Sequence, residues 1–479
     1  MGYVLDHEGK PYAKLFEDIS AIPRGSYKEQ AIADFIVGFA ENLGLEYTRD
    51  DFNNVVIKKP ASLGYESHET VMLQGHTDMI WQKRPGSTFD FETQPIDLIV
   101  KDGWLMAKET TCGSDDGVAV AYMLAILAEK DWKHPPLECV FTTAEEAGLI
   151  GVQKLDFSQL KARKMISMDG NLEGTSLMLS GGGCYGDFER TVQLEKNNDP
   201  VLSIQVEGLT GGHSGSAMNR EGANAFKILA RILHYIGKEA DFRLVDMEGG
   251  SISVIPTKAR VRAAIARHDI DKAKEIAERV IKDVKFEHKE SDPGIALYLE
   301  TEESAGTVVS KDDSDKMTDL MHLLYSGMMN RSPMFDNIPL TSANLEMAWI
   351  EGNKAIVRYK PKSALNSKML DQSEQASMLG ELLGFEFNVW NCFFGHSIAD
   401  GSPLFNVYKE VYCELTGKEL QAVGAHYGCE IGTFLEKMPW LDVILVIATH
   451  YDAHTPDERL DIESFDRNYV ILKMILERV

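Results

Sequence analysis

Short apolar runs that stop on acidic or imidazole side chains recur along this chain. Val71-Met72-Leu73-Gln74-Gly75 leads into His76-Thr77-Asp78, and the run at 137–142 leads into Ala144-Glu145-Glu146-Ala147-Gly148. Residues 165–168 end on Asp169-Gly170, and a continuous apolar stretch at 443–447 precedes His450 and His454. Runs of about four to eight such residues bounded by turn signals predict buried strands. Helix-period stretches stand between them: 12–19, then Ile32, Ile36, Phe39 and Leu43, then an alanine-rich run at 118–127 whose first turn carries Asp115 and Asp116, and a last helix over 462–477. Strands alternating with helices imply an α/β fold with a mixed, mostly parallel sheet, and in such sheets sites form outside the carboxyl ends of the strands.

After Gly181-Gly182-Gly183 the pattern changes to alternating polar and apolar positions. A strand is expected at 201–207, a loop at Gly211-Gly212-His213-Ser214-Gly215, an amphipathic helix at 223–236, and an antiparallel pair from 251–255 and 259–265. A second round follows: helix 315–325, strands 342–349 and 355–360, helix 363–383, strand 385–390. The two rounds read as two β-α-β-β-like halves of one inserted α+β domain, with 291–311 as its most mobile loop. The earlier style returns with a helix at 402–415, a strand at 419–423 and a short helix at 431–435.

The 479 residues allow two or three domains, and 44% apolar with 26% charged residues is ordinary for a globular chain. A formal charge of −25 argues against nucleic acid or an anionic membrane as partner, because both need basic patches. No apolar run approaches the roughly 18 residues of a membrane span. The first residues carry no charged-then-apolar leader pattern. Six scattered cysteines without a C-x-x-C pair predict a reduced, cytoplasmic chain with neither a disulfide framework nor a zinc knuckle.

Taken singly, each acidic or imidazole position has a plain structural reading. A histidine at a strand end can be a hydrogen-bonded core residue, Glu145-Glu146 and Asp115-Asp116 suit helix starts, and Asp169 could cap a turn. Together, His76, Asp115, Glu145, Glu146, Asp169 and His454 form a nitrogen-and-oxygen donor set without thiols, of the kind that holds catalytic zinc. Five ligands with one bridging carboxylate suffice for two ions, which leaves a sixth residue free as a base. In an extended segment positions i and i+2 share a face, so Asp78 could support His76 from behind.

The segments GHTDM (75–79), TCGSDDGVAVA (111–121), FTTAEEAG (141–148), SMDG (167–170), GGHSG (211–215), HYGCEIG (426–432) and HTPDER (454–459) occur in the order found in aminoacyl-histidine dipeptidases. The chain resembles these co-catalytic di-zinc exopeptidases of the carnosinase and carboxypeptidase-G-like clan over nearly its whole length. The resemblance implies a catalytic domain in two parts, 1–186 and 399–479, with an inserted lid domain of two ferredoxin-like halves at 187–398. It implies two Zn²⁺ ions, Mn²⁺ or Co²⁺ being alternatives, bridged by Asp115, with His76 and Asp169 on one ion and Glu146 and His454 on the other. Glu145 corresponds to the general base, Asp78 to the residue orienting His76, and His213 to the clan's oxyanion-stabilising lid histidine. His426 and Glu430 match a substrate-side HxxxE pattern. The implied partner is a short peptide substrate, with no nucleic acid and no membrane, and a homodimer stays open.

The chain also departs from that pattern. Asp116 stands where the family has Asn, and Gly170-Asn171 where it has a Ser-Glu pair. The lid motif reads Ser253-Val254-Ile255-Pro256-Thr257 in place of Asn-Ala-Ile-Pro-Arg, and Lys362 replaces an arginine that grips the substrate carboxylate. A lysine is a point charge and not a bidentate fork, so the ligand set is unaffected while the substrate stays open: a dipeptide of Xaa-His or broader type, an N-acyl amino acid, or peptide binding without turnover. His134, His396 and His450 match nothing in the pattern.

Overall fold

The computed structural model describes residues 3–398 and 402–479; Met1, Gly2 and the expected start of the closing segment at 399 lie outside them. The chain divides into two compact units, one formed by Met1–Met178, Ser397–Val423 and Cys429–Val479, the other by Leu179–His396 and Gly424–Gly428. Among the described residues no helix is long and apolar enough to cross a membrane.

The first unit is built on a six-stranded sheet in the order Glu46–Arg49, Val55–Lys59, Leu137–Thr142, Val71–His76, Lys164–Ser167, Asp442–Leu445. The last four strands run parallel to one another, and the first two join antiparallel. Val71–His76 and Leu137–Thr142 are buried at every position. Strands covered on both faces carry unbroken apolar runs, which is how they read in the sequence. The Ser114–Ala128 helix lies so close to this sheet that a Cβ on Gly75 would fall 2.2 Å from the Ala119 Cβ.

That helix is apolar all round, so every side of it must be covered. Phe16 and Ile19 of Pro11–Ser20 and Phe465 and Leu472 of Ile462–Arg478 share its core, with Tyr122 stacked on Phe465 at 5.2 Å. Burial contributes about 1.5–3 kcal/mol for each large aliphatic or aromatic side chain. Branched residues such as Val118, Val120 and Ile126 cost less than about 0.7 kcal/mol each in helix propensity, so packing decides the conformation. A smaller antiparallel sheet, His450–Tyr451, Arg459–Asp461, Trp104–Ala107 and Leu98–Lys101, anchors the turn carrying His454.

The second unit holds two two-stranded sheets among the described residues and two larger antiparallel ones. One orders Phe242–Gly249, Ala259–Ile265, Val201–Glu207 and Ala296–Glu302; the other orders Gly327–Arg331, Pro339–Glu351, Lys354–Ser363, Gly182–Thr191 and Glu386–Phe393. The helices Ala225–Gly237, Ile270–Glu287, Lys311–Leu323 and Asn366–Leu383 share a single core with them.

Three expectations are corrected here. The 251–255 and 259–265 segments do not pair with each other: Val254–Ile255 pairs with Gly212–His213, while Ala259–Ile265 pairs with Phe242–Gly249. The stretch expected as a mobile loop forms the strands Ala296–Glu302 and Gly306–Val309; the first is an edge strand whose half-exposed side chains hide its alternation. Cys184 and Cys392 form a disulfide, against the expectation of none. They lie 208 residues apart yet directly opposite in neighbouring strands.

Candidate active site

His76 closes the Val71–His76 strand and is buried. Its Nε2 lies 3.1 Å from Asp115 Oδ1, while its Nδ1 lies 3.1 Å from the Asp78 carbonyl oxygen and 3.4 Å from Asp78 Oδ1. Burial alone would push this imidazole down, but Asp115 and Asp78 hold it well above the usual histidine range. The other oxygen of Asp115, Oδ2, faces His454 Nε2 at 3.4 Å, and that same nitrogen faces Glu146 Oε1 at 2.7 Å. Asp115 therefore presents one oxygen to each imidazole. Asp115, first, and Glu146 raise His454 to about 10.

Neither aspartate occupies the cap position of this helix. Gly113 holds the cap position without a side-chain hydrogen bond, Asp115 and Asp116 have non-helical backbone angles, and the peptide bond between them is cis. Asp116 instead turns under His76, accepting its N–H at 3.3 Å and that of Ala119 at 3.4 Å. Burial pushes the Asp116 carboxyl well above its usual range.

Glu145 and Glu146 follow Ala144, whose φ is 46°, and are pinned by their backbone. Asp78 Oδ1 accepts the Glu145 N–H at 3.0 Å, and Oδ2 accepts the Glu146 N–H at 3.3 Å and the Ser26 hydroxyl at 2.7 Å. Glu29 accepts the Ala144 N–H at 2.9 Å. These bonds fix the backbone of both glutamates without engaging either side chain. Burial and then Asp169 push Glu145 well up, and burial raises Glu146 against the pull of His454. Asp169, just beyond the Lys164–Ser167 strand, is raised to about 6 by burial and then by Asp115.

Raised carboxyls crowded in a buried place mark an excess of negative charge that a cation would balance. His76, Asp115 and Glu146 offer one ligand atom each, all within 4.8 Å of one another. Imidazole nitrogen with carboxylate oxygen suits zinc and similar divalent ions, so the residues present fit a metal centre.

Next to His76 a polar network ties three strands together. Gln74 and Thr142 each donate to Glu430 Oε2 at 2.6 Å, and Ser167 donates to Gln74 Oε1 at 2.8 Å. Glu430 is 1% exposed, and burial raises it to about 8. It belongs to the first unit, whereas His426 belongs to the second. There His426 is buried with Nε2 2.7 Å from Ser342 Oγ. His213 Nδ1 accepts the Gly215 N–H at 3.1 Å, which leaves the proton on Nε2; desolvation and the Lys362 and Lys360 charges push the ring down to about 4. Ser253 has a φ of 62°, and its Oγ lies 2.5 Å from the Tyr185 hydroxyl and 2.9 Å from Lys360 Nζ. Lys362 is 1% exposed, and burial, reinforced by Lys360, pulls it well down.

His134 bonds the Pro135 carbonyl and His396 the Ser180 hydroxyl, both at 2.8 Å. His450 is buried in a short strand paired with Arg459–Asp461. Sequence reasoning passed over Arg24, Ser26 and Glu29, which sit in or just after a Pro-Arg-Gly-Ser stretch that reads as turn punctuation. Their signal was weak: three polar side chains in one turn, each with its partner more than fifty residues away.

Comparison with known proteins extends the picture from the site to the whole chain. Residues 72–478 match the profile described as peptidase family M20/M25/M40. The cytosol non-specific dipeptidase of Escherichia coli is 30% identical over 475 residues, covering 98% of each chain. The aminoacylhistidine dipeptidase structure from Vibrio alginolyticus superposes with a TM-score of 0.87 at 29% identity, covering 98% of this chain and 96% of that one. An aminopeptidase structure from Bacillus cereus, 16% identical with a TM-score of 0.55 over 99% of both chains, shares the fold. A profile match across most of the length and a relative alignable from end to end leave one assignment: this chain belongs to the M20/M25/M40 peptidase family.

Proposed function

We propose that the protein hydrolyses the amide bond of dipeptides, Xaa-His among them, at a co-catalytic centre of two zinc ions, with Mn²⁺ or Co²⁺ as alternatives. The observation that carries this reading is Asp115, whose oxygens face His76 at 3.1 Å and His454 at 3.4 Å. That geometry supports Asp115 as the bridge, His76 with Asp169 on one ion and Glu146 with His454 on the other. Bound there, the ions would polarise the scissile carbonyl and lower the pKa of the attacking water.

The chain's own residues do the rest. Glu145 takes the proton of the water on its carboxylate and passes it to the leaving amine, a role that suits a buried carboxyl whose proton affinity is raised by burial and then by Asp169. Asp78 fixes the His76 ring on one side and the Glu145 and Glu146 backbone on the other. His213, neutral with its proton on Nε2, is suited to donate to an oxyanion. Ser253, Lys362 and His426 are proposed on the substrate side. Glu430 is proposed there as well, its Oε2 held by Gln74 and Thr142. A cytoplasmic location rests on the likeness to the cytosol non-specific dipeptidase of Escherichia coli; the Cys184–Cys392 disulfide pulls the other way, since reducing compartments rarely hold one.

Product analysis on a panel of dipeptides and N-acyl amino acids with zinc-loaded protein tests the reading. Dipeptides should be cleaved, activity should vanish on chelation, and readdition of zinc should restore it. Cleavage of acyl compounds alone, or a rate indifferent to metal removal, would overturn it.

A further inference from the structure

Glu458 is 2% exposed and has no place in the ligand set or in the proton transfers above. Its carboxylate nonetheless gathers a whole loop. Oε2 accepts the N–H of Cys112 at 2.8 Å and of Gly113 at 2.9 Å; Oε1 accepts the N–H of Ser114 at 2.8 Å, its hydroxyl at 2.5 Å and the N–H of Asp115 at 3.3 Å. Donors at a helix start have no partner inside the helix, and here one carboxylate supplies it for four consecutive residues.

Buried Arg24 holds the same loop by its carbonyls. It donates to Gly113 O at 2.5 Å, and to the Thr77 and Asp78 carbonyls at 3.1 and 3.2 Å. Gly113 is thus gripped at its N–H by Glu458 and at its C=O by Arg24. The glycine is required: φ is 70°, and a Cβ would lie 2.4 Å from Arg24 Nη2.

Glu458 and His454 belong to one turn, in which the Glu458 N–H donates to Thr455 O at 3.1 Å and the Thr455 N–H to Asp452 O at 3.2 Å. A single turn therefore delivers both the imidazole that faces Asp115 Oδ2 and the carboxylate that fixes the Asp115 backbone. We propose that Glu458 is a positioning residue of the metal centre, which locks the bridging Asp115 to the His454 turn so that each oxygen keeps its own imidazole. The inference rests on the two-metal reading above. An amide could not replace the carboxylate, because its NH₂ would confront backbone N–H donors. A plain helix cap would make a different prediction, lower stability with an unchanged metal centre.

The test compares wild type, Glu458→Gln and Ser114→Ala as full chains loaded with Co²⁺, by cobalt affinity against a competing chelator, visible absorption spectrum, and kcat and KM. Glu458→Gln should bind cobalt ~10–100-fold more weakly, with an altered spectrum and a lower kcat at little-changed KM. Ser114→Ala, which removes only the hydroxyl bond, should shift the same readouts in the same direction by a smaller factor. Wild-type cobalt affinity and spectrum in Glu458→Gln, or in Ser114→Ala should the first variant not fold, would overturn the proposal. A wild type that takes up no cobalt would instead overturn the two-metal reading.

Discussion

Glu145 is held by its backbone and not by its side chain, so Glu145→Gln should leave the site assembled while removing the proton acceptor. The expected outcome is a kcat lower by ~10²–10⁴-fold with metal content by elemental analysis unchanged; wild-type turnover would reassign the base. His454 gives a second expectation. Asp115 and Glu146 raise it to about 10, so in the metal-free protein it keeps its proton at neutral pH and loses it only as pH rises through that value. A metal ligand must be deprotonated, so metal uptake between pH 7 and 9 should release this proton and the apparent affinity should rise with pH. Calorimetry in buffers of differing ionisation enthalpy checks this; pH-independent uptake would count against His454 as a ligand. The proposed ligands stood out in the sequence because they border apolar runs, His76 at the end of one and Asp115 at the start of another. Arg24, Ser26 and Glu29 did not, because a turn residue's role depends on which distant backbone it meets.

The packing of the Ser114–Ala128 helix on the Val71–His76 strand turns on Gly75. A methyl group there would meet Ala119 Cβ at 2.2 Å and Asp116 Oδ2 at 2.6 Å, and neither can withdraw without moving the helix start that carries Asp115. Gly75→Ala should therefore destabilise the protein by ~1–3 kcal/mol, as overpacking does, and weaken metal binding with it. Urea unfolding at an unchanged midpoint would show that the helix has room to yield. Strands such as Leu137–Thr142 were readable because burial on both faces forces a continuous apolar run. Ala296–Glu302 escaped notice because an edge strand can carry Tyr298, Glu300 and Thr301 without penalty. The pairing of 251–255 was misread for another reason: adjacency in sequence favours a hairpin, but Gly212–His213 competes for the same edge.

For the molecule as a whole, the disulfide is the feature least visible beforehand, since sequence spacing says nothing about strands brought together across 208 residues. Denatured without reductant, the protein should show four reactive thiols, from Cys112, Cys139, Cys413 and Cys429, and six after reduction; six before reduction would mean that Cys184 and Cys392 are unpaired. The division of the chain has a consequence in time. Domains fold as units while synthesis proceeds from the N-terminus. Nearly all of the second unit is available once residue 396 has been made, whereas the first still lacks the Asp442–Leu445 strand and its last helix. His76, Asp115, Glu146 and Asp169 are therefore made well before His454 and the Glu458 turn. A metal centre built as proposed is thus finished only after the turn that carries His454 and Glu458 has been made.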